Sequence, residues 1–325
     1  MKKVLVTGIT GQDGIFLTNK LLQKHKNLQI MGISRNTKTK NLFYNNLNRV
    51  NNQINNLESV SLIDLNLLNL QDTSNFINKF KPDYVFNLSG PSSVYQSFSD
   101  TLIPESICKI FDNLTTALIK NNIFPNFYQA SSSEIFAQSN NRITEQSEFG
   151  PKSPYAIAKL KNHKKVLRLR NEFDWNIYSG IMFNHESEFR GSDYLLMKII
   201  QSAIKIKNNN KKTLILGSTT YIRDWSYSQD ISNAIYQITL DGIMESYVIG
   251  SGVGHQISDM LNIVFNYLDL DWKEFVEVDK SLLRSGDPIK IVSDPTRINK
   301  ELSWQSKVTF EEMVMKCLLY KISTI

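Results

Sequence analysis

The stretch QASSSEIFAQ, residues 129–138, is followed at residues 153–160 by SPYAIAKL. Tyr155 and Lys159 stand four positions apart, which on a helix puts both side chains on one face, one turn from each other. An ammonium beside a phenol lowers its pKa, so the tyrosine could take a proton from a hydroxyl while a hydride leaves the same carbon. Ser132, closing a strand-like run, could hydrogen bond the same oxygen. Glu134 is the member that needs explaining. Hydride and proton transfer by a tyrosine, a lysine and a hydroxyl require no carboxylate, so Glu134 would add a second base and with it a second chemical step.

A second group of residues points to what would carry the hydride. GITGQDG, residues 8–14, follows the first strand-like run and opens the first helical pattern, spacing Gly8, Gly11 and Gly14 as G-x-x-G-x-x-G. Glycines there allow a tight turn and a close backbone approach, and the helix N-terminus offers free N–H groups to a pyrophosphate. Gln12 and Asp13, inside the same turn, are expected on the cofactor side. The second strand-like run ends near GISRNTKTK, where an acidic residue would meet the free ribose hydroxyl of NAD. Arg35, with Lys38 and Lys40 after it, suits a 2′-phosphate instead, which favours NADP over a merely solvated loop arginine. Asp64, after the third run, is a candidate acceptor for an adenine amino group, or simply a turn residue.

These residues need elements to hold them. KVLVT (3–7), QIMGI (29–33), SVSLI (59–63), DYVFNL (83–88), NFYQA (126–130) and NIYSGIM (176–182) read as short strands. Amphipathic stretches such as 13–26 and 73–80 suit crossover helices between them. The alternation predicts an α/β chain: a doubly wound, parallel Rossmann sheet with a smaller mixed α/β substrate-binding lobe. Residues 1–182 form the dinucleotide-binding part, with a return at roughly 218–245, and the remaining segments of 183–325 form the lobe. Residues 45–56, NNLNRVNNQINN, have no firm period and read as a weak helix or a connection.

Composition bounds the rest. The 325 residues, 41% hydrophobic and 21% charged, suit one large α/β unit or two lobes sharing a cleft. The opening MKKVLVTG runs into a strand pattern without the apolar stretch of a signal peptide, no run could span a bilayer, and a cytoplasmic location is expected. The net charge of +6 is spread along the chain or sits in segments such as KIKNNNKK, without a basic stripe interleaved with aromatic residues, so a nucleic-acid partner is not expected. Cys108 and Cys317 read as ordinary buried thiols, and no metal-ligand spacing is present.

The glycine turn, the serine run and Y-x-x-x-K together resemble the extended branch of the short-chain dehydrogenases, which act on nucleotide sugars. GITGQDG, YQASSSEIFA, SPYAIAKL, GIMFNHES and RDW narrow the resemblance to the GDP-mannose 4,6-dehydratase family, in order and spacing over nearly the full chain. The resemblance implies a dinucleotide-binding sheet with a sugar-nucleotide lobe, tightly bound NADP, and a homodimer or homotetramer. It also implies catalytic roles for Ser132, Glu134, Tyr155 and Lys159, with Tyr155 and Lys159 reaching the cofactor as well. Substrate contacts are implied at Asn184 near the sugar, and at Lys198, Arg223 and Arg284 toward the diphosphate; Ser92 is placed on the pocket wall. Arginines suit a diphosphate, although either could be a surface ion pair. His185 reads as a hydrogen-bonded structural histidine. The chain departs from the family at Ser132, where threonine is usual, at Phe136 and Ala137, in the wall around Pro91 and Ser93, at Glu188 and Phe189, and at Met197.

The resemblance gives Glu134 its task. Oxidation at sugar C4 acidifies the C5 proton, Glu134 takes that proton, and water leaves across C5 and C6. A 4-epimerase of the same fold would need no such base. A decarboxylase would need a cation aimed at C6, and a non-catalytic NADP-binding module would need none of the four residues. The expected substrate is GDP-mannose or a related GDP-manno-sugar such as GDP-manno-heptose.

Overall fold

The computed structural model describes residues 1–34, 37–50, 56–209, 212–283 and 286–324. Its first part alternates strictly: β1 (Lys2–Thr7), α1 (Gln12–Lys24), β2 (Leu28–Ile33), α2 (Thr37–Val50), β3 (Val60–Ile63), α3 (Leu70–Phe80), β4 (Tyr84–Asn87), α4 (Leu102–Lys120), β5 (Asn126–Ser132), α5 (Pro154–Phe173) and β6 (Ile177–Met182). The rhythm then changes, through β7 (Asn184–Glu186), α6 (Leu195–Lys207), β8 (Leu214–Leu216), β9 (Ile222–Tyr227), α7 (Ser228–Asp241), β10 (Ser246–Ile249), β11 (Gly254–Gln256), α8 (Ile257–Tyr267), β12 (Val276–Val278), β13 (Lys290–Ile291), α9 (Thr296–Leu302) and α10 (Phe310–Ser323).

Seven strands form one sheet in the order β3-β2-β1-β4-β5-β6-β10, every neighbouring pair parallel. This is the doubly wound α/β architecture expected from the alternation. A parallel sheet must be covered on both faces, so its strands are apolar on both. Val4 and Val6 of β1 pack with Leu17 and Leu21 of α1 and with Ile231 and Ile235 of α7. Leu5, between them in sequence, faces the other way, with Val85, Ile77 of α3, Leu114 of α4 and Val166 of α5. The chain runs outward from β1 to β2 and β3, then crosses back to β4 on the other side of β1 and continues outward there, and such a switch point opens a crevice at the carboxyl ends of the strands.

A second core lies beside the sheet, where Ile199 and Ile200 of α6, Val264 and Phe265 of α8, Met313 and Val314 of α10, and Trp225 and Tyr227 of β9 are buried together. β9 pairs with β7, β11 and β13, and β8 pairs with β12. β7 follows β6 after one residue, so the chain steps directly from the large sheet into the small one.

The Asn-rich stretch at 45–56 is helical as far as Val50, because Phe43 and Leu47, four apart, both reach the core; residues 51–55 lie outside the described residues. β5 runs two residues past the expected end, which carries Ser132 to the rim of the sheet opposite Met182. Both cysteines are free thiols; Cys317 is buried as expected, whereas Cys108 is only half-buried. None of the described helices is long and apolar enough to cross a membrane.

Candidate active site

A cleft of about 560 Å³ opens at the switch point, floored by the loop between β1 and α1 and walled by the segments after β4, β5 and β6. Gly8 has φ of +70°, and a Cβ there would lie 2.8 Å from the Leu88 carbonyl carbon. Gly14 sits inside α1 where a Cβ would meet the Ile9 carbonyl oxygen at 2.4 Å, so only glycine lets the helix approach the strand end this closely. Gly11 caps α1 without a side-chain hydrogen bond, leaving the first-turn N–H groups toward the cleft. That arrangement fits a pyrophosphate.

Ser132, Glu134, Tyr155 and Lys159 all line this cleft. The Glu134 backbone N–H donates to Ser132 Oγ at 3.3 Å, in the short turn that ends β5. Pro154 at the first position of α5 and the Ser153 cap fix where that helix begins, and the Ser97 hydroxyl accepts from the Tyr155 backbone N–H at 3.2 Å. Tyr155 and Lys159 are both buried. Burial pushes the Tyr155 phenol well above its ordinary value; the hydrogen bond with Ser132 pulls it down and the Glu134 charge pushes it up again. This corrects the expectation of a phenol lowered by its lysine. Lys159 donates to the Ala130 carbonyl at 3.0 Å and its ammonium lies 5.6 Å from the Tyr155 ring centroid. Burial lowers its own pKa to about 8.

Gln12 and Asp13 line the cleft, but their side chains also brace it. Gln12 donates to the His185 carbonyl at 3.1 Å and accepts from Ser187 at 2.9 Å, joining the glycine turn to the segment after β6. Asp13 accepts from Ser228 at 2.6 Å and faces His185 Nε2 at 3.0 Å, while His185 Nδ1 faces the Phe183 carbonyl at 2.7 Å. A carbonyl can only accept, so Nδ1 carries a proton, and an ionised Asp13 favours a second one on Nε2. Burial opposes both charges, but the Asp13–His185 attraction together with the hydrogen bonds from Ser228 and to Phe183 outweighs it: Asp13 is held below and His185 above its ordinary value. His185 is thus hydrogen bonded, as expected, and Asp13 favours its protonated form.

Arg190 is the cleft residue that sequence reasoning passed over. It pairs with the buried Glu186 at 3.4 Å and lies 3.6 Å above the Tyr194 ring centroid. Its signal was available, an arginine five residues after His185 in NHESEFRG. Asn184 and Ser92 line the cleft too, Asn184 exposed at the start of β7. Pro91 lies on the wall beside Ser92.

Other expected residues sit elsewhere. Asp64 is exposed and outside the cleft, whose wall there is formed by Leu65, Asn66, Leu67 and Leu68. Lys198 is exposed on α6 and donates to the Ile215 carbonyl at 2.9 Å. Arg223 is buried on β9 in an ion pair with Asp287 at 2.9 Å, near a small second pocket shared by Glu134, Lys152 and Asp287. Glu188 accepts from the Tyr227 hydroxyl, and Phe189 packs on Phe16, so both departures from the family pattern point into the protein. Arg35 and Arg284 lie outside the described residues.

The family model for GDP-mannose 4,6 dehydratase matches residues 5–317. GDP-mannose 4,6 dehydratase 2 of Arabidopsis thaliana is 31% identical over 323 residues, covering 96% of this chain and 85% of the plant protein. Among solved structures, a dTDP-glucose 4,6-dehydratase of Bacillus anthracis in complex with NAD superposes with a TM-score of 0.84 at 18% identity, covering 99% of this chain and 97% of that one. RMD of Pseudomonas aeruginosa complexed with NADPH superposes with a TM-score of 0.81 at 18% identity, covering both chains fully. The fold is shared with these two solved structures, and with the family match spanning nearly its whole length the chain belongs to the GDP-mannose 4,6-dehydratase family.

Proposed function

We propose that this protein is a 4,6-dehydratase that converts GDP-mannose, or a GDP-manno-sugar such as GDP-manno-heptose, to the GDP-linked 4-keto-6-deoxy sugar, with NADP as a resident cofactor. The observation that carries the reading is the meeting of Ser132, Glu134, Tyr155 and Lys159 in one cleft with the glycine turn. A 4-epimerase would leave Glu134 without a task.

The chemistry a nicotinamide cofactor supplies when bound is reversible hydride acceptance, out of sugar C4 and back at C6. The glycine turn and the uncapped start of α1 would hold its pyrophosphate, and Arg190 and the Asp13–His185 pair stand on the same side of the cleft. Tyr155 removes the proton of the C4 hydroxyl, and Ser132 hydrogen bonds the same oxygen. Burial makes the phenolate costly, and the Ser132 hydroxyl lowers that cost. Glu134 takes the C5 proton acidified by the new ketone and returns a proton to the departing 6-hydroxyl, which leaves as water. The proton that Tyr155 took from O4 is given up again, directly or through solvent, to supply C5 as C6 is reduced, so protons, oxidation and reduction all balance within one turnover.

Residues 1–182 with the return at roughly 218–245 would serve as the cofactor domain and the remaining segments of 183–325 as the sugar-nucleotide lobe. The NADP preference rests on Arg35 in sequence, and the substrate side on Ser92, Asn184, Lys198, Arg223 and Arg284. For Arg223 this requires the nucleotide to share or displace its ion pair with Asp287. The enzyme would work in the cytoplasm as a homodimer or homotetramer. Incubation with GDP-mannose and mass analysis of the nucleotide sugar tests the reading: a product lighter by one water is expected. An unchanged mass with an altered sugar configuration would favour the epimerase, and no conversion of any nucleotide sugar a binding module.

A further inference from the structure

A chain of four side chains ties the segment after β6 to the loop after β4 at the edge of the cleft. It begins at Glu186 in β7, whose carboxylate is buried and lies 3.4 Å from Arg190. The Arg190 guanidinium stacks 3.6 Å above the ring of Tyr194, the residue that caps α6. The Tyr194 hydroxyl then shares a hydrogen bond of 2.5 Å with Ser92 Oγ, on the loop after β4. Ser92, on the loop after β4, and Arg190, after β7, both line the cleft.

We propose that Tyr194 is a positioning residue that latches the cleft: by bonding Ser92 and supporting Arg190 it ties the loop after β4 to the lobe, and so retains the bound dinucleotide through repeated turnovers. The inference rests on the reading that a dinucleotide occupies the cleft. Its logic is chemical. In a redox-neutral cycle the hydride goes back to the product, so the cofactor has no reason to leave, and each departure would strand the enzyme. A hydroxyl–hydroxyl hydrogen bond can open and close with the loop, whereas the guanidinium stacked on the ring keeps the tyrosine aimed at Ser92 in the meantime. Phenylalanine would preserve the stacking and lose the latch.

The test is the rate at which the full-length protein loses its bound dinucleotide after dilution and gel filtration, read by absorbance and fluorescence. Tyr194→Phe and Ser92→Ala should each speed release about tenfold, as expected for one hydrogen bond of about 1.4 kcal/mol. The double variant should release no faster than either single one, since both remove the same bond. Tyr194→Ala, which also withdraws the support under Arg190, should release faster still. Unchanged release from Tyr194→Phe, or effects that add in the double variant, would overturn the latch. If the protein neither carries nor binds a dinucleotide, the cofactor reading fails, and the latch is then judged by amide hydrogen exchange over residues 89–95. Faster exchange in Tyr194→Phe upholds the tie between loop and lobe; unchanged exchange refutes it.

Discussion

Lys159 stands beside Tyr155 but spends its hydrogen bond elsewhere: the ammonium lies 5.6 Å from the ring centroid and donates to the Ala130 carbonyl at 3.0 Å. Its charge is therefore a matter of pH. With burial lowering its pKa to about 8, Lys159 is an ammonium below that pH and a neutral amine above it. Turnover should fall as pH rises through about 8. Lys159→Arg keeps the charge and should move that alkaline limb upward, at a lower maximal rate, because the guanidinium cannot reproduce the ammonium's geometry. A pH profile of kcat with the same limb in both proteins would show that another group controls it.

Glu134→Gln separates the two chemical steps. Ser132, Tyr155 and Lys159 remain, so substrate should still reduce the bound cofactor, seen as absorbance of the reduced nicotinamide. Product should fall by a factor on the order of 10²–10⁴, and solvent deuterium should no longer enter at C5. Tyr155→Phe should instead leave the cofactor oxidised. Wild-type product formation by Glu134→Gln would make the carboxylate structural.

Arg35→Ala should weaken NADP by about 1.5–3 kcal/mol, the value of a hydrogen bond to a charged group, and leave NAD affinity nearly unchanged. Titration with both nucleotides checks this. Equal loss for the two would remove Arg35 from the 2′-phosphate.

Gly14→Ala would drive a Cβ to 2.4 Å from the Ile9 carbonyl oxygen. The helix has to shift away from the strand end, at a cost of about 1–3 kcal/mol. A lower Tm together with lost dinucleotide binding is expected; a variant as stable as the parent would mean that the turn relaxes freely.

His163 makes the protein sensitive to acid. It is buried on α5, its Nδ1 lies 2.9 Å from Ser179 Oγ, and burial lowers its pKa to about 4. The unfolded chain, with an ordinary histidine near 6.5, binds the proton first as pH falls. Stability from this group is therefore complete above about 6.5 and is lost down to about 4, by up to about 1.4 kcal/mol per pH unit. His163→Gln should flatten the pH dependence of denaturant stability in that window. An unchanged slope would sink the assignment.

The alternation of strands and helices was legible because it is local: β-branched runs, helical periodicity and glycine turns each act within a few residues. Tyr155 and Lys159 were legible for the same reason, since a spacing of four is a statement about one helix. Ser132 followed from its place at a strand end, and the role of Glu134 from the family resemblance. Even α2 could have been read further, because Phe43 and Leu47 keep a helical spacing among the asparagines.

What the tertiary structure decided concerns pairs far apart in the chain. Asp13 meets His185 across 172 positions and Arg223 meets Asp287 across 64, and no local pattern announces either partner. Ser92 and Tyr194, 102 apart, come together only because the loop after β4 meets the start of α6. The direction of the Tyr155 pKa belongs here too. Sequence spacing put a cation beside the phenol, but burial by residues from the whole sheet outweighs one ammonium whose hydrogen bond goes to the backbone. Charge and proton position are set by solvent exclusion, which is a property of the folded whole.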